Sequence, residues 1–215
     1  MLALFAQKSD GVRLWKPVAP EAEELRALRR RRDDLAKIAR GEQNRLEHAK
    51  IRVIRLSLQR HVRSMSREMD DLGKRIEDLI AATPASRHKS RLIQSTKGIG
   101  PKTAAASLAY VPELGDLTKG EAASIVGLAP FARHPGTLRG HRHVSGGRRD
   151  AHASLYMAAL SALRSNPAFR GFAARLKARG KPAKAVITAI MRKLIVIMNA
   201  KLKDGQASNR YGAAT

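Results

Sequence analysis

The stretch GIGPKTAAASL, residues 98–108, decides the fold of this chain of 215 residues. Its Gly-Ile-Gly turn and the proline after it predict two short helices joined by a tight hairpin, the first from about residue 89 to 96. Glycine permits positive φ and close backbone approach, and proline suits the first position of a helix. Amide groups exposed where the second helix begins can hold a phosphate. We therefore expect Gly98, Gly100 and Lys102 to contact the backbone of a nucleic acid.

Upstream of this turn, residues 20–82 are charged and almost free of helix breakers. In the second half, apolar residues alternate at spacings of four and three, which is the 3.5-residue period of a coiled coil. They are Ile54, Leu58, Val62, Met65, Met69, Leu72, Ile76 and Leu79. The first half keeps the register with polar interruptions such as Arg32 and Glu42. Two long helices are predicted, and two arrangements stay open: a hairpin that turns near Lys50, or a continuous rod that pairs with another copy.

Downstream of the turn, residues 128–147 form a loop rich in glycine, arginine and histidine. Five arginines in and just after this loop are suited to clamping phosphates. They are Arg133, Arg139, Arg142, Arg148 and Arg149. Four histidines suggest zinc as an alternative, namely His134, His141, His143 and His152. Because the chain has no cysteine and Asp150 is the one carboxylate nearby, we expect no metal site there.

The charge of the chain points to a polyanionic partner. The formal net charge is +24, and residues 122–215 carry 17 Lys and Arg side chains against two carboxylates, Asp150 and Asp204. The positive side chains repel one another, and this repulsion is relieved when phosphates neutralise their charges. The absence of cysteine excludes a disulfide framework and a thiol nucleophile, and 4% aromatic residues are too few for a base-stacking platform.

Taken together, these patterns predict an all-α fold of long coiled-coil helices followed by a compact helical domain. That domain contains the helix-hairpin-helix, the irregular basic loop, in which a small β-hairpin could form, and four further helices, one of them a short helix at residues 121–127 before the loop. The expected divisions are a leading remnant at 1–19, coiled-coil helices at 20–82, the helical domain at 89–204 and a disordered tail at 205–215. No membrane segment is expected, because Arg192 and Lys193 interrupt the most apolar stretch, residues 185–198.

Several motifs in this order closely resemble the C-terminal domain of the bacterial insertion-sequence 110/116/902 transposases. They are GIGPKTA, VGLAPF, GGRRDAHASLYMAALSALRSNP and GKPAKAVITAIMRKLIVIMNAKLK, all within residues 98–203. Residues 20–82 resemble the coiled coil that precedes this domain in the family, and the opening residues resemble the segment that enters it. The resemblance implies DNA binding and a role in DNA transposition and recombination.

The resemblance also implies a catalytic arrangement. Family members join a ribonuclease-H-like domain, whose four acidic residues bind a divalent metal such as Mg²⁺, to a C-terminal domain that supplies a serine nucleophile. This chain starts beyond the segment that would carry the acidic residues, and Pro135 stands at the place of the serine; Thr137 and Ser145 lie near it in sequence. We therefore expect an N-terminally truncated, catalytically incomplete transposase with no catalytic residue, metal ligand or cofactor of its own. Whether the chain is an enzyme stays open.

The partners implied are DNA, an element-encoded RNA, and either a second copy of the chain or a full-length transposase. The expected location is the bacterial cytoplasm, at the nucleoid. An alternative function is that of a non-catalytic architectural or regulatory DNA-binding protein that oligomerises through its coiled coil.

Overall fold

The computed structural model describes residues 19–131 and 143–205, and over these residues the predicted all-α class is confirmed. They form eight helices and one antiparallel pair of two-residue strands. The elements are α1 (Pro20–His48), α2 (Arg52–Ala82), α3 (Pro84–Gln94), α4 (Pro101–Tyr110), α5 (Lys119–Ile125), β1 (Pro130–Phe131), β2 (His143–Val144), α6 (Arg149–Ser165), α7 (Pro167–Ala178) and α8 (Ala183–Asp204). None of the helices described combines the length and apolarity that crossing a membrane requires.

Helices α1 and α2 pack against each other as an antiparallel hairpin whose turn contains Lys50. Of the two arrangements left open by the sequence, the hairpin is correct and the continuous rod is wrong. One reason lies at the turn, where Arg55 Nη1 donates to the carbonyls of Leu46 and Ala49 over 3.1 and 2.9 Å. The arginine thereby satisfies carbonyls that the end of α1 leaves without intrahelical donors.

The seam between the two helices is apolar with one polar interruption. Leu35 and Met65 are almost fully buried in it. Glu42, which the heptad places on the same seam, is also buried, and its carboxylate pairs with Arg45 at 2.6 Å and lies 3.7 Å from Nδ1 of His61. Because a buried carboxylate is costly without partners, these two neighbours explain how the seam tolerates it.

Helix α3 differs from its prediction, since it begins at Pro84 and ends at Gln94 instead of running from about 89 to 96. The Thr83-Pro84 pair ends α2, and Pro84 also opens the next helix at its first position. The missing amide of proline costs nothing there, because the first amides of a helix have no intrahelical acceptor. The prediction began this helix at about residue 89 and did not assign Pro84 to it.

A single core extends from the base of the hairpin through the helical domain. Leu25 and Ile76 at the hairpin base belong to the same buried cluster as Ile93 in α3. Four fully buried alanines let α4 and α6 approach closely, namely Ala104, Ala106, Ala159 and Ala162. Helix α8 contributes a stripe of Val186, Ile190, Leu194 and Met198, each at most 2% exposed.

Two polar side chains of α8 fix the loops that surround it. Asn199 is buried, donates from Nδ2 to the carbonyl of Leu117 over 2.7 Å and accepts the amide of Gly115 at Oδ1 over 2.9 Å. Lys201 is also buried, and its Nζ donates to Oγ of Ser95 over 2.7 Å. Burial lowers the pKa of Lys201 below its ordinary value. The bonds of Asn199 position the segment between α4 and α5, and the bond from Lys201 positions the turn that follows α3.

Candidate nucleic-acid interface

The predicted helix-hairpin-helix is formed by α3, a turn at residues 95–100, here called the elbow, and α4. Ile99 anchors the elbow, because its side chain is 6% exposed and belongs to the core. Its amide donates to the carbonyl of Thr96 over 3.0 Å. Around this anchor Lys97, Gly100 and Lys102 are exposed. The start of α4 is therefore accessible, as phosphate contact at this position requires.

The two glycines of the elbow serve different purposes. Gly98 has φ +103°, and a Cβ built on it would lie 2.6 Å from Cα of Ala162 in α6. Gly100 has an ordinary φ of −97°, and a Cβ there would meet no atom of the described residues within 4 Å. Gly98 thus permits the elbow to pack directly on α6, whereas Gly100 leaves open space in front of the α4 amides.

Asn166 joins the elbow to the junction between α6 and α7. It is buried, its Nδ2 donates to the carbonyl of Lys97 over 3.1 Å, and its Oδ1 accepts the amide of Ala168 over 3.0 Å. Sequence analysis did not identify this residue as part of the interface. The sequence does indicate that Asn166 caps a helix, because Asn followed by Pro is typical of an N-cap with proline at the first helical position. Its contact with the elbow depends on tertiary packing and has no local sequence pattern.

This junction adds two cations to those of the elbow. Arg164 and Arg170 are exposed, and Arg170 Nη1 donates to the carbonyl of Arg164 over 3.2 Å. Since Asn166 ties the same junction to Lys97, these side chains belong to one continuous region. We call it the elbow surface and define it by Lys97, Gly100, Lys102, Arg164 and Arg170.

The base of the predicted basic loop is held tightly. A Cβ built on Gly147, whose φ is +73°, would overlap the backbone of Gly127, so the two segments that frame the loop touch without side chains between them. Nδ1 of His152 lies 3.0 Å from the carbonyl oxygen of Val126 on the same framing segment. The loop thus leaves and re-enters the helical domain at one anchored place.

Arg148 and Arg149, at the end of the basic loop, have different surroundings. The Arg148 guanidinium donates to both carboxylate oxygens of Glu113 over 2.8 and 2.6 Å and to the carbonyl of Tyr110 over 2.7 Å. These hydrogen bonds lower the pKa of Glu113. Arg149 is exposed at the first position of α6. Arg148 therefore has a structural partner, and Arg149 is accessible to a ligand.

The other predicted residues of this loop cannot be placed. Arg133, Arg139 and Arg142 lie outside the described residues, as do Pro135, Thr137 and two of the histidines considered for zinc, His134 and His141. Ser145 is described and exposed. Within the described ranges no group of three or more His, Asp or Glu side chains is arranged to hold a metal ion, so the metal prediction rests on the sequence alone.

Comparison with known proteins connects this geometry to a family. The family described as "Transposase IS116/IS110/IS902 family" matches residues 90–174, which run from α3 through the elbow and basic loop into α7. A pilin gene-inverting protein of Moraxella bovis is 29% identical over 211 residues, which cover 96% of this chain and 65% of the relative. The pilin gene-inverting protein of Moraxella lacunata is 28% identical over the same shares.

A third relative is the insertion element IS110 uncharacterized 43.6 kDa protein of Streptomyces coelicolor. It is 31% identical over 136 residues, which cover 62% of this chain and 33% of the relative. The chain spans just under two thirds of the length of the Moraxella relatives. The family match covers the segment that contains the elbow, the anchored base of the basic loop and α6, and in this segment the chain is similar to the IS116/IS110/IS902 transposases.

Proposed function

We propose that this chain binds DNA through the elbow surface and acts in DNA transposition and recombination as a transposase of this family. The observation that carries the proposal is the open start of α4 at Gly100, flanked by exposed Lys97 and Lys102 and by the arginines of the α6–α7 junction. Amides at a helix start favour an anion, and the surrounding cations extend the positive field along a phosphate backbone.

The relatives support the same class of reaction. The Moraxella proteins are named for inverting a pilin gene, which is a rearrangement of DNA. The alignment with them covers 96% of this chain and therefore includes the α1–α2 hairpin as well as the elbow. A shared role in DNA rearrangement, with the DNA ends unspecified, is the function that this similarity favours. Action on DNA would place the chain at the bacterial nucleoid, in the cytoplasm.

The contribution of the described residues is DNA binding, and we derive no bond-breaking step from them. Two of the described carboxylates have partners within the protein, since Asp33 bonds with Arg29 and Tyr110, and Glu113 bonds with Arg148. The alternative, a non-catalytic architectural protein, rests on the same DNA-binding surface.

Association with a second copy, or with a longer transposase, is the accompanying proposal. The heptad seam joins α1 to α2 within one chain and is therefore not available to a second copy. We accordingly expect the contact between copies at the hairpin tip. Four apolar side chains there are between 47% and 74% exposed, namely Ile51, Val53, Ile54 and Leu56. Sedimentation of the full chain at micromolar concentration tests this: a dimer that Ile54→Asp dissociates is expected, and a monomer throughout would contradict it.

Duplex binding measured at several salt concentrations tests the DNA-binding proposal. Each phosphate contact contributes about −0.9 to the slope of log affinity against log salt. About four contacts at the elbow surface would lower the affinity about 100-fold between 50 and 200 mM salt. An affinity that does not change with salt would contradict the proposal. Competition with an RNA of equal length distinguishes DNA from the element-encoded RNA as the preferred polyanion.

Paired variants locate the DNA-binding surface. The double change Lys97→Ala and Arg164→Ala should make the salt slope less steep by about 2, because each phosphate that is no longer neutralised changes the slope by about 1. Arg63→Ala with Arg67→Ala is the matched control, because both arginines are exposed on α2 and the same charge is removed away from the elbow. Equal effects in the two double variants would show a response to net charge and reject the elbow surface.

A further inference from the structure

A pocket of about 220 Å³ lies where the base of the long hairpin meets the helix-hairpin-helix. Helices α1, α2, α3 and α4 all contribute to its walls. Its floor consists of buried core residues, among them Ile76, Ile80 and Ala105, which are 3%, 8% and 5% exposed. The pocket is thus an opening onto the apolar core, and it lies on the α1–α2 side of α4.

Cations dominate the rim of this pocket. Arg29, Arg32, Arg87, Arg91 and Lys102 line it, and Glu77 is the one carboxylate that does so among the residues described. Arg29 is already paired with Asp33 at 3.1 Å. The other four cations have no carboxylate partner within the described ranges, which leaves a net positive site beside an apolar floor.

Two of these arginines are held in place by their own hydrogen bonds. Arg32 donates from Nε to the carbonyl of Met69 over 3.2 Å, and Arg87 donates from Nε to the carbonyl of Ala81 over 2.9 Å. Neither bond uses the terminal Nη groups, which have no hydrogen-bond partner in the part of the chain that the structure describes. A guanidinium that is fixed through Nε and free at Nη can bind an anion at a lower entropic cost than an unrestrained one.

Gly73 keeps the pocket open. It lies in the interior of α2, where glycine is less favourable than any residue except proline. A Cβ at this position would be 3.8 Å from Nε of Arg32, and a longer side chain would extend into the space that the guanidinium and the pocket share. A glycine that weakens the helix but leaves room at a cationic pocket indicates a ligand that must enter.

We propose that this pocket accepts one unpaired nucleotide of a bound nucleic-acid strand, with the base on the apolar floor and the phosphate at the arginine rim. The proposal rests on the function proposed above and adds a preference for single-stranded segments. The volume is smaller than the roughly 300–1,000 Å³ of pockets that enclose whole small-molecule ligands. A phosphate alone would leave the apolar floor unoccupied, and a base within a duplex cannot reach it.

Binding of DNA hairpins with and without a five-nucleotide single-stranded tail, at equal total phosphate number, tests the pocket. The full chain should prefer the tailed hairpin about tenfold, which is the effect expected when about 55 Å² of apolar base surface is removed from water on the floor of the pocket. Tails of DNA and of RNA are compared in separate arms, and a preference for either supports the pocket and identifies the strand that fills it. Equal binding of tailed and blunt hairpins would overturn the inference and leave the proposed function intact.

Gly73→Leu should abolish the tail preference without weakening binding to the blunt hairpin. Gly41→Leu is the matched control, since Gly41 is also a glycine inside a long helix and its Cβ would meet nothing within 4 Å. Arg87→Ala with Arg91→Ala should also abolish the preference, compared with Arg63→Ala and Arg67→Ala as controls. The pocket would be ruled out as the binding site if Gly73→Leu kept the preference for the tailed hairpin, or if Gly41→Leu reduced that preference equally. If the wild-type chain bound neither hairpin, the proposed function itself would be rejected.

Discussion

The hydroxyl of Tyr110 donates a 2.7 Å hydrogen bond to Oδ2 of Asp33 and so joins the last residue of α4 to α1. Asp33 is held on its other side by Arg29, whose Nη2 lies 3.1 Å from Oδ1. Tyr110 is 5% exposed. Its burial, and after that the bond to the Asp33 carboxylate, raise the pKa of Tyr110 above its ordinary value of 10. The joint between the long hairpin and the helix-hairpin-helix therefore depends on a neutral phenol.

We expect the contact between Tyr110 and Asp33 to be lost at alkaline pH. In the unfolded chain Tyr110 loses its proton near its ordinary pKa of 10, whereas the folded chain retains it to higher pH. The folded state then binds more protons, so the stability that is fully present below pH 10 decreases as the pH rises through the folded pKa.

Tyr110→Phe should lower the free energy of unfolding by about 1–3 kcal/mol at neutral pH, because the bond has a charged acceptor. The same variant should reduce the fall in stability above pH 10, measured by urea denaturation. Tyr156→Phe is the control, since Tyr156 is 42% exposed on α6. Identical pH profiles for the wild type and Tyr110→Phe would contradict this account.

Local signals in the sequence predicted the presence of the long helices and of the elbow, although the bounds predicted for α3 were wrong. The heptad spacing predicted the long helices, and the Gly-Ile-Gly-Pro pattern predicted the turn before α4. Each depends on residues close together in the chain, where periodicity and φ preferences operate. The choice between hairpin and rod could not be made in this way, because a heptad seam does not encode whether its partner lies in the same chain.

Long-range polar contacts were not predictable from pattern. Asn166 meets Lys97, and Tyr110 meets Asp33, across 69 and 77 residues of sequence. Arg148 was predicted as a phosphate ligand like its neighbour Arg149, and nothing local distinguishes them. Only the position of Glu113, which follows from the packing of the domain, gives Arg148 a partner inside the protein.

The two elbow glycines should respond differently to alanine. Gly98→Ala places a methyl group 2.6 Å from Cα of Ala162 at a φ of +103°, and should cost about 2 kcal/mol or more through overpacking and strain. Gly100→Ala meets no neighbour within 4 Å at an ordinary φ, and should remain within about 0.5 kcal/mol of the wild type. Urea denaturation of both variants measures the difference, and equal stabilities would refute the packing role of Gly98.

Burial of Lys201 should make the chain more stable as the pH approaches the pKa of free lysine. Its pKa is lowered in the folded state, so the unfolded chain binds more protons between the folded pKa and the ordinary 10.5. Stability then rises with pH across this window. Lys201→Met should remove the rise and keep or increase stability at pH 7, by up to about 1 kcal/mol, because an apolar chain of similar length replaces a buried ammonium.

Lys203→Met is the matched control for this change, since Lys203 is exposed two residues further along α8. Thermal unfolding of both variants at pH 7 and at pH 10 measures the effect. A rise in stability that survives in Lys201→Met would show that another group causes it.

The pairing of Arg148 with Glu113 should contribute to stability and to its acid dependence. Arg148→Ala removes this pair and the bond to the Tyr110 carbonyl, and should lower the free energy of unfolding by about 1 kcal/mol. The value is small because both partners are more than a third exposed and are screened by water.

The pair lowers the pKa of Glu113, so the stabilisation that it provides is present above the ordinary pKa of 4.5 and disappears as the pH falls through the folded pKa. Glu113→Gln should weaken that acid dependence, measured by urea denaturation between pH 3 and 7; an unchanged pH profile would contradict it.

Arg149, by contrast, should affect DNA affinity without affecting stability. Its side chain is exposed at the start of α6, where a phosphate can reach it. Arg149→Ala should therefore leave urea denaturation unchanged and weaken duplex binding, with a salt slope less steep by about 1. If Arg148→Ala weakened binding at full stability while Arg149→Ala had no effect, the phosphate would bind Arg148, and the pair with Glu113 would have to open when DNA binds.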